Sequence, residues 1–372
     1  MLYAMRKTKR NTYFILGLTI LGFCFISIIL ALKPLRQPLV EEESPNWAPN
    51  GQYMAMVCYL DGPTEEIADT NLSYFTAEAA DICITDIDGD NTFRLTKSLG
   101  EERRPVWSPD STRIAYIRSD GIYIVDFNGD KQRQLVHYPG VLEELDEIFW
   151  SPAGTHLLFS ARSGNSNYDI YTVNLSNGVL TNLTQNDATR DFLPRWTLDG
   201  TKIVYLSADA SWYGLDPAQL IIMDADGSHK QTIVSRAIFY NKLFVLNDGQ
   251  IIFTTYDLSG DKLEHLYKMN RFTEEPVEIS VTSQWNSFSL SPNGRFLLFQ
   301  KWGKLFILEM DTGKTRELSP EFDPILGSAS WSPDEEEIAV TSTGPAIDLF
   351  YDQENIYILN VLDGSIRPLI RR

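Results

Sequence analysis

Between Trp47 and Trp331 one phrase recurs seven times: a tryptophan or an apolar substitute, a Ser-Pro-Asp-Gly-like turn, then an apolar run. The frames are Trp47-Ala-Pro-Asn-Gly51, Trp107-Ser-Pro-Asp-Ser111, Trp150-Ser-Pro-Ala-Gly154, Trp196-Thr-Leu-Asp-Gly200, Val245-Leu-Asn-Asp-Gly249, Leu290-Ser-Pro-Asn-Gly294 and Trp331-Ser-Pro-Asp-Glu335. Their starts lie 60, 43, 46, 49, 45 and 41 residues apart. A unit of about 40 to 50 residues fits one four-stranded blade, which buries its faces only against its neighbours. The pattern predicts an all-β chain folded as a seven-bladed β-propeller of four-stranded antiparallel blades. The long first gap holds an insertion.

The second unit is the clearest copy. Its pattern predicts strand A over Arg104 to Trp107, strand B over Arg113 to Arg118, strand C over Ile122 to Phe127 and strand D over Gln132 to Val136. Pro109-Asp110 separates A from B, since proline fixes φ and aspartate bonds its own backbone. Asp120-Gly121 suits a two-residue hairpin between B and C, and Asn128-Gly129 turns C into D. The C to D turn returns as Asp88-Gly89, Asn177-Gly178, Asp226-Gly227, Thr312-Gly313 and Asp363-Gly364.

These residues resemble the TolB-type, WD-repeat-like propeller repeat, in which P-x-W-S-P-D-G is followed by an apolar strand, I-Y-x-x-D-x-D-G and R-x-L-T. The match is strongest at Pro105 to Tyr116 and at Asp126 to Leu135, and loose copies run from Pro45 to the C-terminus. The resemblance implies a periplasmic or cell-surface scaffold, or the propeller lid of prolyl oligopeptidase-like enzymes. Those enzymes carry a G-x-S-x-G nucleophile elbow, a motif that occurs nowhere in this chain.

Tyr13 to Leu32 is a run of 20 residues without a charge, long enough to cross a hydrocarbon core of about 30 Å as a helix. Arg6, Lys7, Lys9 and Arg10 precede it, and only Lys33 and Arg36 lie just beyond. The positive-inside bias then places the N-terminus in the cytoplasm. Residues 1–12 are expected to form a basic cytoplasmic tail, 13–32 an uncleaved signal anchor in the lipid bilayer, 33–44 a linker and 45–372 an extracytoplasmic propeller. All 50 acidic residues follow residue 40, against 26 of the 32 basic ones, so the exported part carries a net charge of −24. Such a surface excludes nucleic acid as a partner, because backbone binding needs a basic one.

No constellation for catalysis or metal binding stands out. His137, His156, His229 and His265 are spread over four units. Asp86-Ile-Asp88-Gly89-Asp90-Asn91 has the alternating carboxylates of a calcium loop but lacks the distal bidentate glutamate, and it occupies an ordinary C to D turn. No cofactor, metal or catalytic residue is therefore assigned. The tryptophans at one place in successive units are expected to pack between neighbouring blades.

Strand directions alternate within a blade, so A–B and C–D turns share one face of the disc while B–C and D–A connections share the other. Every sizeable insertion falls on the second face: Asp61 to Asp81, Arg162 to Tyr168, Ala208 to Ala218, Asp257 to Glu264 and Ser342 to Glu354. These carry adjacent aromatics, Tyr74-Phe75, Trp212-Tyr213 and Phe350-Tyr351, beside Asp209, Asp216 and Asp348. Aromatic anchors amid carboxylates suit a protein, peptide or glycan partner. Alignment of unit 1 on unit 2 sets Cys58 at the place of Arg118 and Cys83 at that of Tyr123. With Asp120-Gly121 as the turn these two are directly opposed, about 4.5 Å apart at Cα, so a Cys58–Cys83 disulfide is expected outside the cytoplasm. Two classes of function remain: a non-catalytic membrane-tethered scaffold for a protein, peptide or envelope glycan, and a propeller enzyme, a lyase or hydrolase, acting on polysaccharide.

Overall fold

The computed structural model describes residues 43–59, 64–66, 73–75, 80–98, 100–137, 143–163, 167–210, 217–237, 239–246, 249–256, 264–270, 275–282, 288–301, 304–318, 326–342 and 355–369. These form seven four-stranded antiparallel sheets spanning 43–94, 102–137, 143–182, 189–237, 239–282, 288–317 and 326–368, and a two-stranded hairpin of Thr64–Glu66 and Ser73–Phe75. Each sheet takes its four strands from consecutive stretches of chain, with the hairpin inserted between the second and third strands of blade 1. The seven units are the seven blades. The anchor segment 13–32 lies outside the described residues, and no helix among those described is long and apolar enough to cross a membrane.

A blade is buried on both sides, which is why its middle strands are apolar at nearly every position rather than at every second one. In Tyr53–Tyr59 the alternation of side chains sends Ala55 and Val57 into a cluster with Trp107, Ile114 and Tyr116 of blade 2. Met54, Met56 and Cys58 enter one with Ala339, Ile356 and Ile358 of blade 7. Seven such clusters fill the seven gaps between blades. Among the described residues the cluster between blades 3 and 4 is the smallest, with six buried residues.

The predicted tryptophan packing is present and has a polar component. The Trp107 indole N–H donates to the Asn46 carbonyl (3.0 Å), Trp150 to Val106 (3.0 Å), Trp331 to Ser289 (3.1 Å) and Trp47 to Ser330 (3.1 Å). In each case the acceptor is the residue before the corresponding frame position of the preceding blade. Trp47 thereby joins the first blade to the last, and among the described residues no strand crosses between them to close the ring.

Two sequence readings of unit 2 need correction. Strand C runs Gly121–Asp126, and Arg118 pairs with Gly121, so the turn is Ser119-Asp120 and Tyr116, not Arg118, faces Tyr123. Gly121 is a strand residue at φ 153°, where a Cβ would come 1.9 Å from the Val136 carbonyl of strand D. Glycine is there because a neighbouring backbone crowds it, not because it turns. Strand A begins at Glu102, two residues earlier than its apolar pattern indicates. Arg104 has φ 54° just before Pro105, and the ladder to strand B shifts register there. The bulge places proline where no ladder N–H is required.

The corrected B–C register also moves the cysteines. Cys58 is opposite Asp81 and Cys83 is opposite Met56, so the two are diagonal rather than directly opposed. The structure nevertheless joins them, with Cα atoms 5.8 Å apart, within the span a disulfide needs. The bond sits in the cluster between blades 1 and 7.

Candidate functional site

The B–C and D–A face is held from beneath by buried carboxyl groups at the roots of its connections. Asp81, the second residue of strand C in blade 1, accepts the Ser98 N–H (3.1 Å) and meets the Arg94 guanidinium. The Thr96 hydroxyl donates to Glu102, the first residue of blade 2, and accepts the Ile82 N–H (2.9 Å). Blade 3 repeats the layout: Asp169 accepts the Thr184 hydroxyl (2.9 Å) and the Asn186 N–H (3.2 Å). Asp191, at the start of blade 4, accepts the Ser207 hydroxyl (2.5 Å). The D–A connections that leave blades 1 and 3 are thus tied to the strand-C roots of their own blades. Burial pushes the carboxyls of Asp81, Glu102 and Asp191 above the usual range, more than their hydrogen bonds pull them down.

In blade 2 the B–C turn is closed on itself. Arg118 clamps Asp120 through Nε and Nη2, both at 2.6 Å, and lies over the Tyr123 ring at 4.0 Å. The Tyr123 hydroxyl donates to the same carboxylate (2.9 Å). The guanidinium first, and the phenol after it, hold the Asp120 carboxyl down at about 2. This cluster satisfies itself and offers a ligand little.

Of the recognition residues expected from sequence, Tyr74 and Phe75 lie on the second strand of the inserted hairpin, opposite Glu65 and Thr64. Asp209 ends strand B of blade 4, opposite Thr189, and is exposed. Trp212, Tyr213, Asp216, Asp348, Phe350 and Tyr351 lie outside the described residues. The histidines sit on four separate blades, contacting Gln134, Asn174, Asp224 and Glu278. Among the described residues no three His, Cys, Asp or Glu side chains are placed to hold a metal ion. At the calcium-like stretch Asp86 is engaged by its own turn, accepting from the Asp90 N–H (2.9 Å) and the Asn91 amide (2.5 Å).

Sequence reasoning missed one feature on the opposite face. A cleft of about 520 Å³ opens between blades 3 and 4, lined among others by His156, Thr181, Trp196, Asp199, Gly200 and Ala225. Trp196 breaks the tryptophan series, because its indole nitrogen is buried and has no hydrogen-bond partner among the described residues. The signal was present in the repeat, where His156 and Thr181 occupy places that carry arginine in unit 2.

The comparisons with known proteins agree with this architecture. The TolB beta propeller domain matches residues 64–304. The Tol-Pal system protein TolB of Ruthia magnifica subsp. Calyptogena magnifica is 36% identical over 106 residues, covering 27% of this chain and 24% of that one. The uncharacterized peptidase YuxL of Bacillus subtilis is 24% identical over 216 residues, covering 56% and 31%. The chain thus spans a quarter to a third of these relatives' length. Among solved structures, an oligogalacturonate lyase in complex with manganese superposes with TM-score 0.68 at 13% identity, covering 85% of this chain and 88% of that one. A puromycin-hydrolyzing peptidase of Mycobacterium tuberculosis also gives 0.68 at 13% identity, covering 90% and 54%. At such identities the likeness is one of fold, whereas the profile match covers most of the chain. The chain belongs to the TolB beta propeller domain family.

Proposed function

We propose that the protein is a membrane-anchored, extracytoplasmic scaffold that binds a protein, peptide or envelope glycan through the B–C and D–A face of its propeller, without catalysis. The observation that carries the reading is the one-sided placement of insertions. The A–B and C–D turns span five to seven residues each, while the B–C connections of blades 1, 4 and 7 span 20, 8 and 12 residues and the first of them contains its own hairpin. Functional groups concentrate on such loops when a rigid scaffold positions them, and the buried carboxyl ties stiffen their roots. Membership of the TolB propeller family and the acidic exported surface support a polypeptide partner. The likeness to a lyase and a peptidase is one of fold and supplies no reaction.

Two measurements test the proposal. N-terminal sequencing of membrane-extracted protein should find residues 1–32 attached; a mature chain beginning near Lys33 in the soluble fraction would refute the anchor. Pulldown with the exported domain should recover a partner whose binding drops when Trp212, Tyr213, Phe350 and Tyr351 become alanine. Each buried aromatic anchor is worth about 2 kcal/mol or more. Equal losses from changing the exposed Asp88 and Asn128 on the other face would refute the assignment.

A further inference from the structure

The cleft between blades 3 and 4 lies where three other interfaces carry an internal arginine clamp; the same strand-D ladder position is Phe93, Gln231 and Glu278 in blades 1, 4 and 5. At three interfaces an arginine of strand D reaches forward to a backbone carbonyl just after strand C of the next blade. Arg133 donates to Leu175, Arg316 to Val361 and Arg367 to Ile87 (3.1 Å). Their ladder positions are equivalent, opposite Ile124, Ile307 and Ile358 of strand C. In blade 3 that position, opposite Thr172, is Thr181. A threonine is several atoms too short to reach the corresponding residue, Ala225.

A second arginine is missing at the same interface. In blade 2, Arg113 opens strand B, donates to the Gly154 carbonyl (3.1 Å) and lies 5.1 Å from the Trp150 ring centroid. The residue that opens strand B in blade 3 is His156, which turns instead to Thr155 and Asn174 of its own blade. Gly200 and Trp196 correspond to Gly154 and Trp150, and both line the cleft. Where two guanidinium groups fill the interface between blades 2 and 3, the next interface has an open space of about 520 Å³, within the range of small-ligand sites. The acceptor positions and the aromatic partner are kept, and two carboxylates, Asp199 and Asp226, are added at the rim. Hydrogen bonds from the Thr197 and Ser228 hydroxyls hold both carboxyls below the usual range, so both are ionised at neutral pH.

We propose that this cleft binds an arginine side chain presented by a partner polypeptide, which takes the place that the chain's own arginines take at the neighbouring interface. A guanidinium matches the site in three ways. It is planar, so it can stack on Trp196. It has donors enough for the Gly200 and Ala225 carbonyls, and its charge meets Asp199 and Asp226. The site lies on the A–B and C–D face and is independent of the recognition face proposed above.

The test uses the full-length protein in detergent and three blocked tripeptides, Gly-Arg-Gly, Gly-Lys-Gly and Gly-citrulline-Gly, titrated calorimetrically. The arginine peptide should bind saturably, with the neutral citrulline peptide weaker by about tenfold or more and the lysine peptide in between. Thr181→Arg should abolish binding by rebuilding the internal clamp, with a melting temperature equal to or above that of the parent. Asp226→Asn, an exposed turn change, should weaken arginine binding without altering the melting temperature. The site is refuted if the arginine peptide does not bind, if citrulline binds equally, or if Thr181→Arg folds and binds as the parent does. Should Thr181→Arg fail to fold, unchanged binding by Asp226→Asn refutes the proposal in its place. Equal binding of the lysine peptide refutes the guanidinium assignment.

Discussion

The tryptophan of the repeat does two jobs that a plain hydrophobe cannot combine. Its ring fills the gap between blades, and its N–H donates to a carbonyl on the inner strand of the preceding blade. Trp150 and Trp196 make a matched pair for separating the two, since both are partly buried but only Trp150 has its hydrogen bond. Phenylalanine removes similar ring area at either site. Trp150→Phe should therefore cost about 1 kcal/mol more than Trp196→Phe in denaturant unfolding, and equal costs would show that the bond contributes nothing. The turns follow the same economy. Five frames end in glycine at positive φ, but Ser111 and Glu335 adopt φ 58° and 63° with side chains attached. Each spends its side chain on the preceding blade, Ser111 accepting the Asn50 N–H (3.0 Å) and Glu335 the Asn293 N–H (2.7 Å).

Strands and their joints show where the sequence was legible. Apolar runs bounded by Pro, Asp and Gly located the blade strands because turn chemistry is local, and even unit 5, without Trp or Ser-Pro, forms its sheet from Phe239–Val245 onward. Gly121 was misread because its cause, the Val136 carbonyl, belongs to a strand the local pattern does not include. The hairpin inside the first insertion was invisible for lack of an alternating pattern. The cleft was overlooked because its signal is an absence: His156 and Thr181 replace arginines of unit 2, and the change acquires meaning only once the carbonyls those arginines reach are known. The disulfide was reached by alignment despite a register error, since the twist of the hairpin brings that diagonal close. Thiol counting on denatured, unreduced protein should find only Cys24 free, and three free thiols would exclude the bridge. Replacing Cys58 and Cys83 by alanine should cost about 2–4 kcal/mol. Glu102 gives the opposite sign of effect. Its carboxyl is fully buried and raised, so the folded state binds its proton more tightly than the unfolded chain. That contribution is complete below about pH 4, the unfolded value, and is lost as pH rises through the folded one. Glu102→Gln should melt near the parent in acid and increasingly above it toward neutral pH; a constant difference would contradict the burial argument.

For the whole molecule, the decisive fact is that among the described residues the ring closes without exchanging a strand. Six interfaces join blades already tethered by a short connection, so a lost contact there costs only its own energy while the partners stay at high effective concentration. The seventh has no tether. It rests on the Trp47 indole and amide donating to Ser330 (3.1 and 3.3 Å), on Arg367 reaching the Ile87 carbonyl (3.1 Å), and on an apolar cluster that includes the Cys58–Cys83 pair. Closing it brings together ends separated by the full length of the propeller, which makes it the weakest joint in entropic terms even though its contacts resemble the others. Trp47→Ala and Trp107→Ala remove the same ring and the same kind of hydrogen bond from the closing and from a tethered interface, and each should cost about 3–5 kcal/mol locally. Their reach should differ. After Trp47→Ala, amide hydrogen exchange should accelerate in the second strands of both end blades, Tyr53–Tyr59 and Glu337–Ser342, as the ring opens. After Trp107→Ala, faster exchange should stay within blades 1 and 2, with Glu337–Ser342 at its parental rate. If both variants loosen blade 7 alike, chain continuity is not what protects the other six interfaces, and closure of the ring is cooperative around its whole circumference.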